Sequence, residues 1–79
     1  MAPAEIWQGG NLINTIKGGI SHTSELRGRE VTVIDAVEDD DAQECFGCVL
    51  CEDHMTQKRY LHPGDSVTLD HGEIVKCIE

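Results

Sequence analysis

From Glu30 onward the chain is a succession of short runs rich in Val, Ile, Thr and Cys, each closed by turn residues. β-Branched side chains lose rotamer freedom in a helix and pack well on a pleated surface, so this texture predicts strands. Four to five are expected, over residues 30–37, 44–52, 57–62, 66–69 and 73–78. The joins are short. Pro63-Gly64-Asp65 is a turn sequence, and Asp70-His71-Gly72 offers a tight reversal with Gly free to take positive φ. Short joins demand antiparallel neighbours. The predicted fold is therefore mainly β, a small antiparallel meander curling toward an open barrel.

The segment before residue 30 is less decided. Gly9-Gly10 and Gly18-Gly19 bracket residues 11–17, whose Leu12, Ile13 and Ile16 fit one side of a short helix and fit a strand almost as well. Ser24 ahead of Glu25 and Leu26 can cap a helical turn that Gly28 would end. Residues 1–29 are expected to be a short irregular or helical segment covering one face or edge of the meander, within a single domain spanning 1–79. With 79 residues, 39% of them apolar, and only Trp7, Phe46 and Tyr60 as aromatics, the core must be small. A staple, a metal or self-association can supplement such a core. Trp7 is expected as a core anchor, with a contact role as its alternative.

Charge is distributed very unevenly. The formal net charge is −9, and Asp35, Glu38, Asp39, Asp40, Asp41, Glu44, Glu52 and Asp53 fall in one stretch that holds no Lys or Arg. Before it, Glu5, Glu25 and Glu30 balance Lys17, Arg27 and Arg29. Crowded like charge repels itself in the folded state while projecting a field that draws in a basic partner. Solvation of a loop is the plainer role for such a cluster. Its density on one hairpin, with residues 38–43 as the acidic loop, favours recognition, because carboxylates so spaced can imitate backbone phosphates. Six scattered Lys and Arg do not supply the clustered cations that direct nucleic-acid binding needs.

No basic start followed by an apolar run marks a signal peptide, and no apolar run approaches the roughly 20 residues that span a bilayer. The expectation is a soluble cytoplasmic protein whose cysteines stay reduced. Cys45, Cys48 and Cys51 have the C-x-x-C-x-x-C spacing, with His54 shortly after and Cys77 near the end. Over residues 45–51, Cys-Phe-Gly-Cys-Val-Leu-Cys resembles the cluster-binding loop of bacterial ferredoxins, which implies three ligands of a four-iron cluster. The chain departs from that family downstream, where Cys77 precedes Ile78 instead of Pro. On a regular strand Cys45, Val49 and Cys51 would take one face, and Phe46, Cys48 and Leu50 the other. Three thiols could not then share one ion, and they would be small buried hydrophobes. Structural zinc and an iron-sulfur cluster stay open as alternatives.

His22, His54, His62 and His71 stand in no catalytic motif and are expected on the surface or in turns. The Gly pairs lack the context of a phosphate-binding loop and are expected as turns. Lys58-Arg59-Tyr60 is expected to pair across strands with the acidic stretch. The predicted function is that of a non-enzymatic acidic binding module whose eight named carboxylates dock on a basic surface of another protein, one that holds nucleic acid, and block it. In size and charge alone the chain resembles phage-borne inhibitors of host defence, including anti-CRISPR and DNA-mimic proteins. The alternatives are a metal-binding protein using Cys45, Cys48, Cys51 and either His54 or Cys77, and a homo-oligomer or accessory subunit assembled through a strand edge.

Overall fold

The computed structural model describes residues 4–36, 48–52 and 57–78. They form eight strands, β1 (Ala4–Gln8), β2 (Asn11–Ile16), β3 (His22–Leu26), β4 (Arg29–Asp35), β5 (Cys48–Glu52), β6 (Gln57–Leu61), β7 (Ser66–Thr68) and β8 (Ile74–Cys77). The strands make two antiparallel sheets, ordered β2-β1-β8-β7 and β3-β4-β5-β6, and neither closes into a barrel. The expected meander is present as β4-β5-β6. The β7–β8 hairpin leaves it and joins the other sheet beside β1, so the two ends of the described chain are neighbours, with Ala4 opposite Cys77.

Residues 4–29 are not a cover. They contribute two hairpins, one to each sheet, and the helical alternative for this segment is replaced by strands β2 and β3. The cause lies in the turns. Gly9 and Gly10 both take positive φ, 59° and 79°, which is the backbone of the two-residue loop that matches the twist of paired strands. Arg27 and Gly28 do the same at 55° and 76°, so Gly28 completes a hairpin instead of ending a helix. The turns read from sequence are in place. Asp65 N–H bonds the His62 carbonyl at 2.9 Å across Pro63 and Gly64, and Gly72 has φ 87° where β7 reverses into β8.

Alternation along each strand builds the core. Val31 and Val33 of β4, Leu50 of β5 and Leu61 of β6 meet Ala4, Ile6, Val75 and Cys77 of the facing sheet in one buried cluster. The Cys77 thiol also donates to the Leu61 carbonyl at 3.5 Å, tying β8 to β6 across the layers. A second cluster, Ile34, Ala36, Val49 and Cys51 with Tyr60 packed against it, occupies the opposite face of β4–β6. Trp7 belongs to neither cluster. It alternates with Ala4 and Ile6 onto the outer face, where Lys76 Nζ stands 5.0 Å from its ring centre and its Nε1 donates to Glu5 at 3.1 Å. Among the described residues no helix is long and apolar enough to cross a membrane.

Arg27 is the one described non-Gly residue with positive φ. A Cβ in this region meets the following carbonyl oxygen, at a cost of about 1–2 kcal/mol. Replacing Arg27 by Gly should therefore raise the urea midpoint at unchanged slope, by a gain on the order of 0.5–1 kcal/mol after the greater chain entropy of Gly is counted. A lower midpoint would show that the arginine side chain contributes more than its backbone costs.

Candidate functional site

The eight carboxylates of the acidic stretch do not form one patch. Asp35 continues the inward alternation of Val31 and Val33 and is only 1% exposed, so it cannot contact a partner and is withdrawn from the binding set. Glu52 lies at the other end of β5, where its backbone pairs with Val31 and Gln57. Four strand steps, roughly 13 Å, separate it from Cys48. Glu52 therefore starts the join to β6, with Asp53 next in sequence, while Glu38, Asp39, Asp40, Asp41 and Glu44 belong to the join between β4 and β5. Those five and Asp53 lie outside the described residues. The ladder does fix where the longer join begins and ends, because Asp35 pairs with Cys48.

The cysteines are divided in a similar way. Val49 and Cys51 share the outer cluster while Leu50 enters the inner one, as strand alternation requires. Cys77 sits in the inner cluster, so no ligand set can draw on both Cys51 and Cys77. Cys45 and His54 lie outside the described residues. Among the described residues no three His, Cys, Asp or Glu side chains converge as metal ligands. For the basic pair, register sets Lys58 opposite Cys51 and Arg59 opposite Leu50, while Glu52 faces Gln57. Neither Lys58 nor Arg59 thus stands directly across from a carboxylate of β5.

The titratable groups that do converge were not legible as a motif. Glu73, just ahead of β8 and 5% exposed, accepts from Ser24 Oγ at 2.8 Å through one oxygen and lies 2.6 Å from His22 Nε2 through the other. His22 and Ser24 alternate inward on β3, the edge of the other sheet. The β7–β8 turn adds more bonds to the same hairpin. Asp70 accepts the Arg27 and Gly28 amides, each at 2.8 Å, its own amide donates to the Glu25 carbonyl at 2.9 Å, and His71 Nε2 is 3.0 Å from Glu25 Oε1. Gln8 reaches the His71 carbonyl from β1 at 2.9 Å. The turn thus clasps the two sheets together along one open side.

Serine, histidine and a carboxylate in contact invite comparison with a catalytic triad, and the order of contacts differs from one. A serine is activated by an imidazole that takes its proton, with the acid behind the imidazole. Here the carboxylate stands between the two, so Ser24 meets Glu73 and not the imidazole. Ionisation suits this role. Burial works to raise the Glu73 carboxyl, but hydrogen bonds from His22 and Ser24 and the nearby His22 and His71 outweigh it and hold it below the usual glutamate range. The Gly28 and Arg27 amides hold Asp70 low as well, aided by His71 against a small burial effect. Comparison of the chain with protein families, characterised proteins and solved structures finds no match to any of them.

Both carboxyls titrate lower in the folded chain than in the unfolded one. Their contribution is therefore full above the unfolded values, near pH 4, and disappears as pH falls through the folded values. Glu73→Gln should cost about 2 kcal/mol at neutral pH, from bonds to a charged acceptor, and should flatten the acid limb of a stability profile. Denaturant melts from pH 7 to pH 3 test this. A variant with the parent's acid limb would show that the clasp does not depend on ionised Glu73.

Proposed function

We propose that the protein is a non-enzymatic binding module that uses the β4–β5 join as an anionic recognition element for a basic surface on another protein. The contact residues are Glu38, Asp39, Asp40, Asp41 and Glu44. Asp35 serves the framework, and Glu52 and Asp53 are at most peripheral to the contact. The partner's surface is one that otherwise holds nucleic acid, so occupation by carboxylates blocks it in the manner of an acidic mimic.

The observation that carries this reading is the pairing of Asp35 with Cys48. It tethers both ends of a join containing five carboxylates and no Lys or Arg to the same end of one sheet. The β3–β4 turn at the sheet's other end mixes Arg27 and Arg29 with Glu25, Glu30 and, on β5, Glu52. A run of five carboxylates without a cation attracts a basic group before contact, over a range of about 8 Å at physiological ionic strength.

The test is capture of a partner by immobilised protein, in parent form and as D39N/D40N/D41N, at low and physiological salt. The substituted protein should keep its circular dichroism, capture markedly less, and lose most of the salt dependence. Partner captured by the parent should release bound nucleic acid in proportion. Equal capture by the two proteins at both salt levels would sink the proposal.

A further inference from the structure

Among the described residues each sheet has two edges, and three of the four are capped, charged or very short. On β3, the Glu25 carbonyl is already taken by the Asp70 amide. β6 carries Lys58 and Arg59, and β7 is only three residues long. The remaining edge, β2, runs six residues, Asn-Leu-Ile-Asn-Thr-Ile, without a charge or a proline. The exposed large apolar side chains of the described residues, Leu12 at 46%, Ile13 at 48% and Ile20 at 48%, all belong to this strand or the turn after it. Register lays Leu12 beside Trp7 and Trp7 beside Ile74, extending the apolar strip inward across the sheet's outer face.

We propose that β2 is a self-association edge, on which a second copy pairs its own β2 antiparallel about a two-fold axis. Charge selects this occupant. Two molecules of net charge −9 repel, yet β2 is uncharged, and the charged groups nearest it in the ladder and chain are Lys17, Glu5 and Lys76. Pairing there sets no like charges opposite one another. The same Lys17 and Lys76 disfavour a basic strand as the occupant. The join that carries the crowded carboxylates is anchored by β4 and β5, in the sheet other than that of β2.

Closure also fits a dimer. Two β2 strands joined isologously leave β7 as the free edge at each end of the combined sheet, too short to propagate a filament. The pairing is not a plain ladder. Ile13 is the extra residue of a bulge opposite Ile6 and Trp7, and the Thr15 amide is taken by the side-chain oxygen of Asn14 at 3.0 Å. An adjoining strand can replace that local bond, and Leu12 and Ile13 supply apolar contact at the bulge.

Sedimentation equilibrium of the full chain over a wide concentration range, at physiological salt, tests the inference. A monomer–dimer equilibrium is expected, with amide exchange along Asn11–Ile16 slowing as concentration rises. Ile13→Lys should weaken dimerisation about tenfold or more, and D39N/D40N/D41N should leave it intact. A monomer at every concentration would overturn the proposal. So would a dimer whose β2 amides exchange at an unchanged rate, a dimer indifferent to Ile13→Lys, or growth beyond two copies. Because the exchange measurement uses the parent chain, a variant that fails to fold leaves the test standing. Loss of dimerisation in D39N/D40N/D41N would likewise count against β2 as the edge, whatever happens to partner capture.

Discussion

The register between β4 and β5 is the constraint on which the remaining assignments rest. Because side chains alternate with a period of two, a slip of one residue would move Val31, Val33 and Asp35 to the outer face and bring Ile34 inward. The observed pairing, Asp35 with Cys48 and Val33 with Leu50, keeps both apolar sets buried, one between the sheets and one outside β4–β6. Few alternative registers satisfy two clusters at once. The same pairing assigns the carboxylates their different situations, one in the interior, five in the β4–β5 join, and Glu52, followed in sequence by Asp53, at the far end of β5.

Apolar packing between the layers is supplemented along one side by the β7–β8 turn. Its bonds to the β3–β4 hairpin join residues more than forty positions apart, so they form only when both hairpins are in place. Glu73 and Asp70 give that side an electrostatic character. A small domain with few aromatics gains specificity in this way, since each carboxylate oxygen in the clasp has a defined donor.

Much of the architecture was readable from local chemistry. β-Branched runs and the turns Pro63-Gly64-Asp65 and Asp70-His71-Gly72 locate β4 and β6–β8 to within about two residues, a normal boundary error; β5 starts at Cys48, within the expected 44–52. The first twenty-nine residues were less readable because Asn11–Ile16 is short and its apolar spacing serves either period. Arg27 concealed the second hairpin, since a two-residue loop of this kind ordinarily announces itself with Asn or Gly. His22, Ser24 and Glu73 could not have been grouped, because nothing local marks a contact made across two sheets. Trp7 is outside the core, against expectation. Its neighbours Ala4 and Ile6 are the inward residues of β1, and alternation sends the indole outside. Asp35 reads as part of a charged surface because Glu38 to Asp41 come soon after it in the chain, whereas its strand position groups it with Val31 and Val33.

Charge and framework separate once the strands are placed. An acidic stretch treated as one ribbon would include residues that the sheet buries or removes to its far end. β4 and β5 anchor the two ends of the join that carries five carboxylates, and the uncharged β2 edge belongs to the opposite layer. The most direct measurement is the cross-strand nuclear Overhauser pattern between β4 and β5. It should link the backbone protons of Asp35 with Cys48 and of Val33 with Leu50. Contacts shifted by one residue, pairing Asp35 with Val49, would place the Asp35 side chain on the outer face and contradict this division of charge.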